Sequence, residues 1–156
     1  MNVQDLMTSD VQCCGPDSNL ATAAKMMWDH DCGALPVLNV QGRVLGMITD
    51  RDICMAAATK NKPPSDITVW ATMSGKAYTC RSVDDVHTAL DIMKRERVKR
   101  LPVVDEEGMF QGIITMNDLL LTAQEAKGRN LPTVSYEDVV SAMRAISAHR
   151  VLVDTK

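Results

Sequence analysis

The feature that most constrains this chain is that it repeats itself. Leu35-Pro36-Val37-Leu38 returns as Leu101-Pro102-Val103-Val104, and the stretch Gly46 to Asp52 returns as Gly112 to Asp118, both at a spacing of 66 residues. The same spacing pairs Val3 with Val69, Met7 with Met73, Cys14 with Cys80, Ala23 with Ala89, Met27 with Met93 and Gly42 with Gly108. About fifteen identities fall in register without an insertion, so the chain reads as a duplicated unit. One copy of roughly sixty residues buries too little apolar surface to be stable alone. Two copies packed sheet to sheet would bury both cores.

Each copy carries the same succession of signals. A short strand is expected around Val11–Cys14, and around Ala77–Cys80 in copy two. A helix follows, in which Leu20, Ala23, Ala24 and Met27, or Val86, Ala89, Leu90 and Met93, fall on one face. In copy two, Ser82-Val83-Asp84-Asp85 has the pattern of a capping box. Two strands come next, Ala34–Val40 and Arg43–Ile48, matched by Arg100–Val104 and Met109–Ile114, with glycine at each hairpin join. A second helix opens at Thr49 or Thr115. The expected fold is thus α/β (α+β), two β-α-β-β-α units over residues 1–59 and 67–126. The linker, 60–66, is marked by Pro63-Pro64, which exclude helix and central strand alike. The extension, 127–156, holds one more helix, opened by Ser135 and carrying Val139, Val140, Met143 and Ile146; docking on its own protomer is favoured over contacting a partner.

Composition removes several classes of function. A net charge of −3 and a pI near 5.5 argue against general nucleic-acid binding, although Lys94 to Arg100 form a local basic stretch. No run of eighteen apolar residues marks a membrane span. The start of the chain lacks the basic and apolar regions of a signal peptide, so a cytoplasmic location is expected. The five cysteines form no CxxC pair and read as reduced, mostly buried thiols. His30, His87 and His149 are isolated from one another, and no metalloprotease, P-loop, nucleophile-elbow or dinucleotide motif accompanies them. Catalysis is not expected.

The motif shared most tightly, Gly-x-Ile-Thr-x-x-Asp, lies where a strand turns into a helix. Thr49 with Asp52, and Thr115 with Asp118, could simply cap their helices, and Gly46 and Gly112 could allow close packing. The same geometry also suits a nucleotide. Free amides at a helix start favour phosphate, the hydroxyl adds a bond, and a carboxylate one turn later can accept both hydroxyls of a ribose. Arg51, Lys99 and Arg100 are the available cations for the phosphate.

These motifs, with the two Leu-Pro-Val strands and the lead-ins Val3–Thr8 and Val69–Ser74, resemble those of tandem cystathionine-β-synthase (CBS) domain proteins, or Bateman modules, over about residues 3–126. The resemblance implies two units related by a pseudo-twofold axis with clefts between them, homodimers, and binding of AMP, ADP, ATP, S-adenosylmethionine or a dinucleotide such as NAD. By family analogy Asp52 and Asp118 would hold ribose, and Thr49 and Thr115 would lie near ribose and phosphate. Adenine would sit near Gln12–Cys14 with Ala34, Leu35 and Pro36, and near Tyr78–Cys80 with Val98 to Pro102. Basic residues before the Leu-Pro-Val strand often meet phosphate in such proteins. Lys99 and Arg100 occupy that place in copy two, against Gly33 and Ala34 in copy one, so the resemblance implies unequal sites.

The leading expectation is a regulatory module that binds an adenosyl ligand and signals to a partner protein. The alternative is a structural dimerisation module in which both motifs are only caps.

Overall fold

The computed structural model describes residues 1–126 and 132–148. Residues 127–131 and 149–156, including His149, lie outside the described residues. Unit one contains α1 (Leu20–Asp29), β1 (Ala34–Leu38), β2 (Val44–Thr49) and α2 (Asp50–Thr59). Unit two contains β3 (Cys80–Arg81), α3 (Val86–Glu96), β4 (Arg100–Val104), β5 (Phe110–Thr115) and α4 (Met116–Thr122). A further helix, α5, spans Tyr136–Ser147. The architecture is the mixed α and β pair expected from the repeat.

The two hairpins are copies in detail. β1 pairs antiparallel with β2, and β4 with β5, in the same register, with a bulge at Val37/Leu38 and again at Val103/Val104. Gly42 and Gly108 turn the two hairpins at φ 80°, a conformation that favours glycine. The first strand of each unit is shorter than its apolar sequence predicts. Only Cys80–Arg81 pairs with β4, in parallel, and in unit one the counterpart shrinks to a single bridge from Cys14 to Val37.

The helices bury the stripes that the sequence marks, Leu20, Ala23 and Met27 on α1 and Val86, Ala89, Leu90 and Met93 on α3, except that Ala24 is only partly buried. The start of α3 differs from the expected capping box at Ser82. Asp85 is the N-cap, accepting the His87 amide, while Asp84 instead accepts the Arg81 amide. Two adjacent aspartates compete for this role. The one nearer the apolar stripe caps, because the helix must start where Val86 reaches the core.

The lead-in segments cross over. Val3, fully buried, packs with Cys80, Leu90 and Leu101 in unit two's core, whereas Val69 packs with Leu20, Leu35 and Ile48 in unit one's. Thr8 exchanges two backbone hydrogen bonds of 2.9 Å with Ile113 on β5, and Ser74 donates its amide to the Met47 carbonyl on β2 at 2.9 Å. The motif glycines make this crossing possible. A methyl group at Gly46 would collide with the Ser74 carbonyl oxygen, and one at Gly112 with that of Thr8. Each unit is therefore completed by a strap from the other half of the chain.

α5 lies on α3 and α4, with Val139 and Ala142 buried in the second core. The equivalent face of unit one is uncovered among the described residues. There α1 and α2 enclose a groove of about 500 Å³ lined by Ala24, Met27, Trp28, Ile53 and Cys54. Trp28 is 86% exposed, and Met55 is exposed as well.

Candidate ligand clefts

Two clefts open where the units meet, and each takes residues from both. The first, about 510 Å³, is lined by Thr49, Asp50, Arg51 and Asp52 of unit one together with Lys76, Tyr78, Arg97, Val98, Lys99 and Arg100 of unit two. The second, about 610 Å³, is lined by Thr115, Met116 and Asn117 of unit two together with Asp10, Gln12, His30, Asp31 and Ala34 of unit one. These are counterparts under the repeat: Thr49 matches Thr115, Tyr78 matches Gln12, and Arg97 matches Asp31. Both lie in the size range of small-molecule sites.

The sequence-marked residues divide into two groups. Thr49, Arg51, Asp52, Tyr78, Val98, Lys99 and Arg100 come together in the first cleft. Ala34 and Thr115 meet in the second, where Lys99 and Arg100 also reach. Leu35, Pro36 and Pro102 are buried in their sheets and stand outside both linings, because β1 and β4 are covered on both faces. Asp118 also falls outside the lining of the second cleft. Lys76, Asp10 and Asp31 line the clefts without belonging to any motif. α5 reaches both clefts as well, placing Ile146 in the first and Met143 in the second.

Both threonine–aspartate pairs are complete capping boxes. Thr49 Oγ1 donates to Asp52 Oδ2 at 2.7 Å, the Thr49 amide donates to the same oxygen at 3.0 Å, and the Asp52 amide donates to Thr49 Oγ1 at 3.2 Å. Thr115 and Asp118 repeat this at 2.7, 2.7 and 3.3 Å. Ser135 and Asp138 form the same box on α5, away from either strand-to-helix corner. The box alone is therefore a cap and not the mark of a ligand. What distinguishes Asp52 is its place in a cleft, with Oδ1 free of hydrogen bonds among the described residues.

The first cleft is rich in cations. Arg51, Arg97, Lys99 and Arg100 form no ion pair among the described residues, and Lys76 Nζ sits 4.8 Å from the centre of the Tyr78 ring. Such unpaired charges raise the local potential for an anion. Arg97 and its counterpart Asp31 both close their helices in the left-handed region, at φ 56° and 49°. These turns lead directly into the strand-edge residues that line the clefts.

Three of the five thiols are poorly suited to act as nucleophiles. Burial pushes Cys13 and Cys14 up to about 11 and Cys80 up to about 12, so all three stay protonated near neutral pH. In the second cleft His30 makes no hydrogen bond to Asp10, Asp31 or Cys32 among the described residues, and no group of three or more ligating side chains there is placed to hold a metal. No helix among the described residues is long and apolar enough to cross a membrane.

Comparison with known proteins agrees with this architecture. Residues 3–59 and 65–125 each match the family described as CBS domain. The CBS domain-containing protein YhcV of Bacillus subtilis is 31% identical over 144 residues, which is 88% of this chain and 98% of YhcV. The crystal structure of Hypoxic Response Protein I with two coordinated zinc ions superposes with a TM-score of 0.72 at 30% identity, covering 80% of this chain and all of that one. The CBS domain pair of protein MJ0100, in complex with 5′-methylthioadenosine and S-adenosyl-L-methionine, superposes with a TM-score of 0.70 at 25% identity, covering 78% of this chain and 94% of that one. The repeat, the crossed lead-ins and these matches place the chain in the CBS domain family, as a tandem pair followed by one further helix.

Proposed function

We propose that this chain is a non-catalytic cytoplasmic module that binds adenosyl ligands in the two inter-unit clefts and reports their presence to a partner protein. The observation that carries the reading is the first cleft itself. It brings a hydroxyl, a carboxylate with a free oxygen, an aromatic ring and several unpaired cations to one cavity, from two halves of the chain. In this reading Asp52 Oδ1 accepts from ribose hydroxyls, Tyr78 and Val98 flank the base, and the basic residues meet phosphate. The related pair of protein MJ0100 was solved with two adenosyl compounds, which supports the ligand class. AMP, ADP, ATP, NAD and S-adenosylmethionine are the compounds to test.

A ligand at a hundred times its dissociation constant should stabilise the fold by about 2.7 kcal/mol. For a chain of this size that is a rise in melting temperature of roughly 5–10 °C. No rise with any of the five compounds would leave the second reading, a dimerisation module without a ligand. Two observations favour that second reading: both motif pairs are already satisfied as caps, and the α1/α2 face of unit one is uncovered among the described residues. Self-association through that face belongs to the first reading too, with α5 covering the equivalent face of unit two.

A further inference from the structure

The two clefts are counterparts in shape but not in charge. At matched positions Lys76 is replaced by Asp10, Arg97 by Asp31 and Arg51 by Asn117. The first cleft therefore gathers five cations (Arg51, Lys76, Arg97, Lys99, Arg100) against two carboxylates, Asp50 and Asp52. In the second, two cations face two carboxylates, Asp10 and Asp31, with His30 beside them. Lys99 and Arg100 line both clefts, so they cannot themselves create the difference. They also make the clefts compete: an anion that draws both toward the first cleft leaves the second with its two carboxylates less balanced.

Resting on the reading above, we propose that the clefts take different classes of adenosyl compound. The first takes a phosphorylated nucleotide, and the second takes an unphosphorylated adenosyl compound, neutral or cationic. Charge acts over distances comparable to the Debye length, about 8–10 Å at ordinary ionic strength, so a phosphate anywhere in the first cleft feels the excess of cations. The apolar lining and the threonine hydroxyl, common to both clefts, serve the part shared by all these compounds. The charge on the remainder decides which cleft it enters.

The repeat supplies its own test, because each cleft carries the residues that would convert the other. All four positions are exposed, and aspartate already occupies the left-handed position in unit one at Asp31, so Arg97→Asp introduces no new backbone demand. Titration calorimetry with AMP and with 5′-methylthioadenosine, at low and raised salt, reads both sites. In the unaltered chain AMP should occupy one tight site whose affinity falls with salt, while 5′-methylthioadenosine binds with little salt dependence. Lys76→Asp with Arg97→Asp should weaken AMP at least tenfold and leave 5′-methylthioadenosine at the second cleft unchanged. Asp10→Lys with Asp31→Arg should create a second AMP site. Equal AMP affinity and equal salt dependence at both sites would overturn the assignment, as would an unchanged AMP affinity in the first double variant. Binding of neither compound to the unaltered chain would instead remove the proposed function, and this assignment with it.

Discussion

At Asp52 the two carboxylate oxygens have separate work: Oδ2 closes the cap of α2, and Oδ1 is open to the first cleft. Asp118 makes the same cap but does not line the second cleft. Asp52→Ala and Asp118→Ala should therefore each cost about 1 kcal/mol of stability as lost caps. Only Asp52→Ala should weaken AMP, by about tenfold or more, the worth of hydrogen bonds to a charged group. Parallel urea melts and AMP titrations of the two variants check this, and equal losses of affinity would contradict it. The motif glycines answer to packing instead. Gly46→Ala and Gly112→Ala should each destabilise by about 1–3 kcal/mol in urea, since a backbone carbonyl must move. Gly15→Ala, with open space around it, should not suffer that clash. Sequence alone marks Thr49 and Asp52 because their spacing has a local physical meaning, that of a helix cap. Leu35, Pro36 and Pro102 belong to the interior because a repeated apolar strand marks a core before it marks a ligand. Lys76 and Asp10 had no local signal, and only the crossing of the chain brings them to a cleft.

Among the elements, α5 shows how far a local pattern carries. Its cap at Ser135 forms as the sequence predicts, and Val139, Met143 and Ile146 pack on the second core, but Val140 is exposed and the unmarked Ala142 is buried instead. Its docking site was not readable, since the pattern defines a buried face without naming the surface that buries it. The hydroxyl and amide of Ser135 hold the Asp138 carboxyl below its ordinary value, with a smaller contribution from the positive potential of His87 and Lys94. His87 Nε2 lies 3.8 Å from Asp138 Oδ2 and links α3 to the start of α5. A carboxyl lowered by folding stabilises fully above the unfolded value of about 3.9, and that contribution fades as pH falls through the folded value. Hydrogen exchange of the α5 amides, once intrinsic rates are removed, should thus lose protection below about pH 4. Ser135→Ala should cost about 1 kcal/mol and flatten this acid response. Protection that stays unchanged below about pH 4 would contradict the assignment to Asp138.

Across the whole molecule the duplication was legible, and so was the pairing of strands within each unit, because both depend on short-range pattern. The exchange of lead-in segments was not, since it rests on contacts between residues far apart in sequence, such as Val3 with Leu101. That exchange interlocks the two halves at the clefts. Among the described residues the α1/α2 face of unit one is left uncovered, because α5 occupies the equivalent face of unit two. If copies of the chain associate through α1 and α2, Trp28→Glu should convert the dimer to a monomer in sedimentation without lowering the melting temperature of the monomer. An unchanged dimer would place the interface elsewhere. The central claim is that an adenosyl ligand lies between the units, and amide chemical-shift mapping on titration with AMP tests it most directly. The account predicts shifts in three separate stretches of one chain, Thr49–Asp52 in unit one together with Lys76–Tyr78 and Arg97–Arg100 in unit two. Shifts confined to one unit, or absent at millimolar AMP, would contradict it.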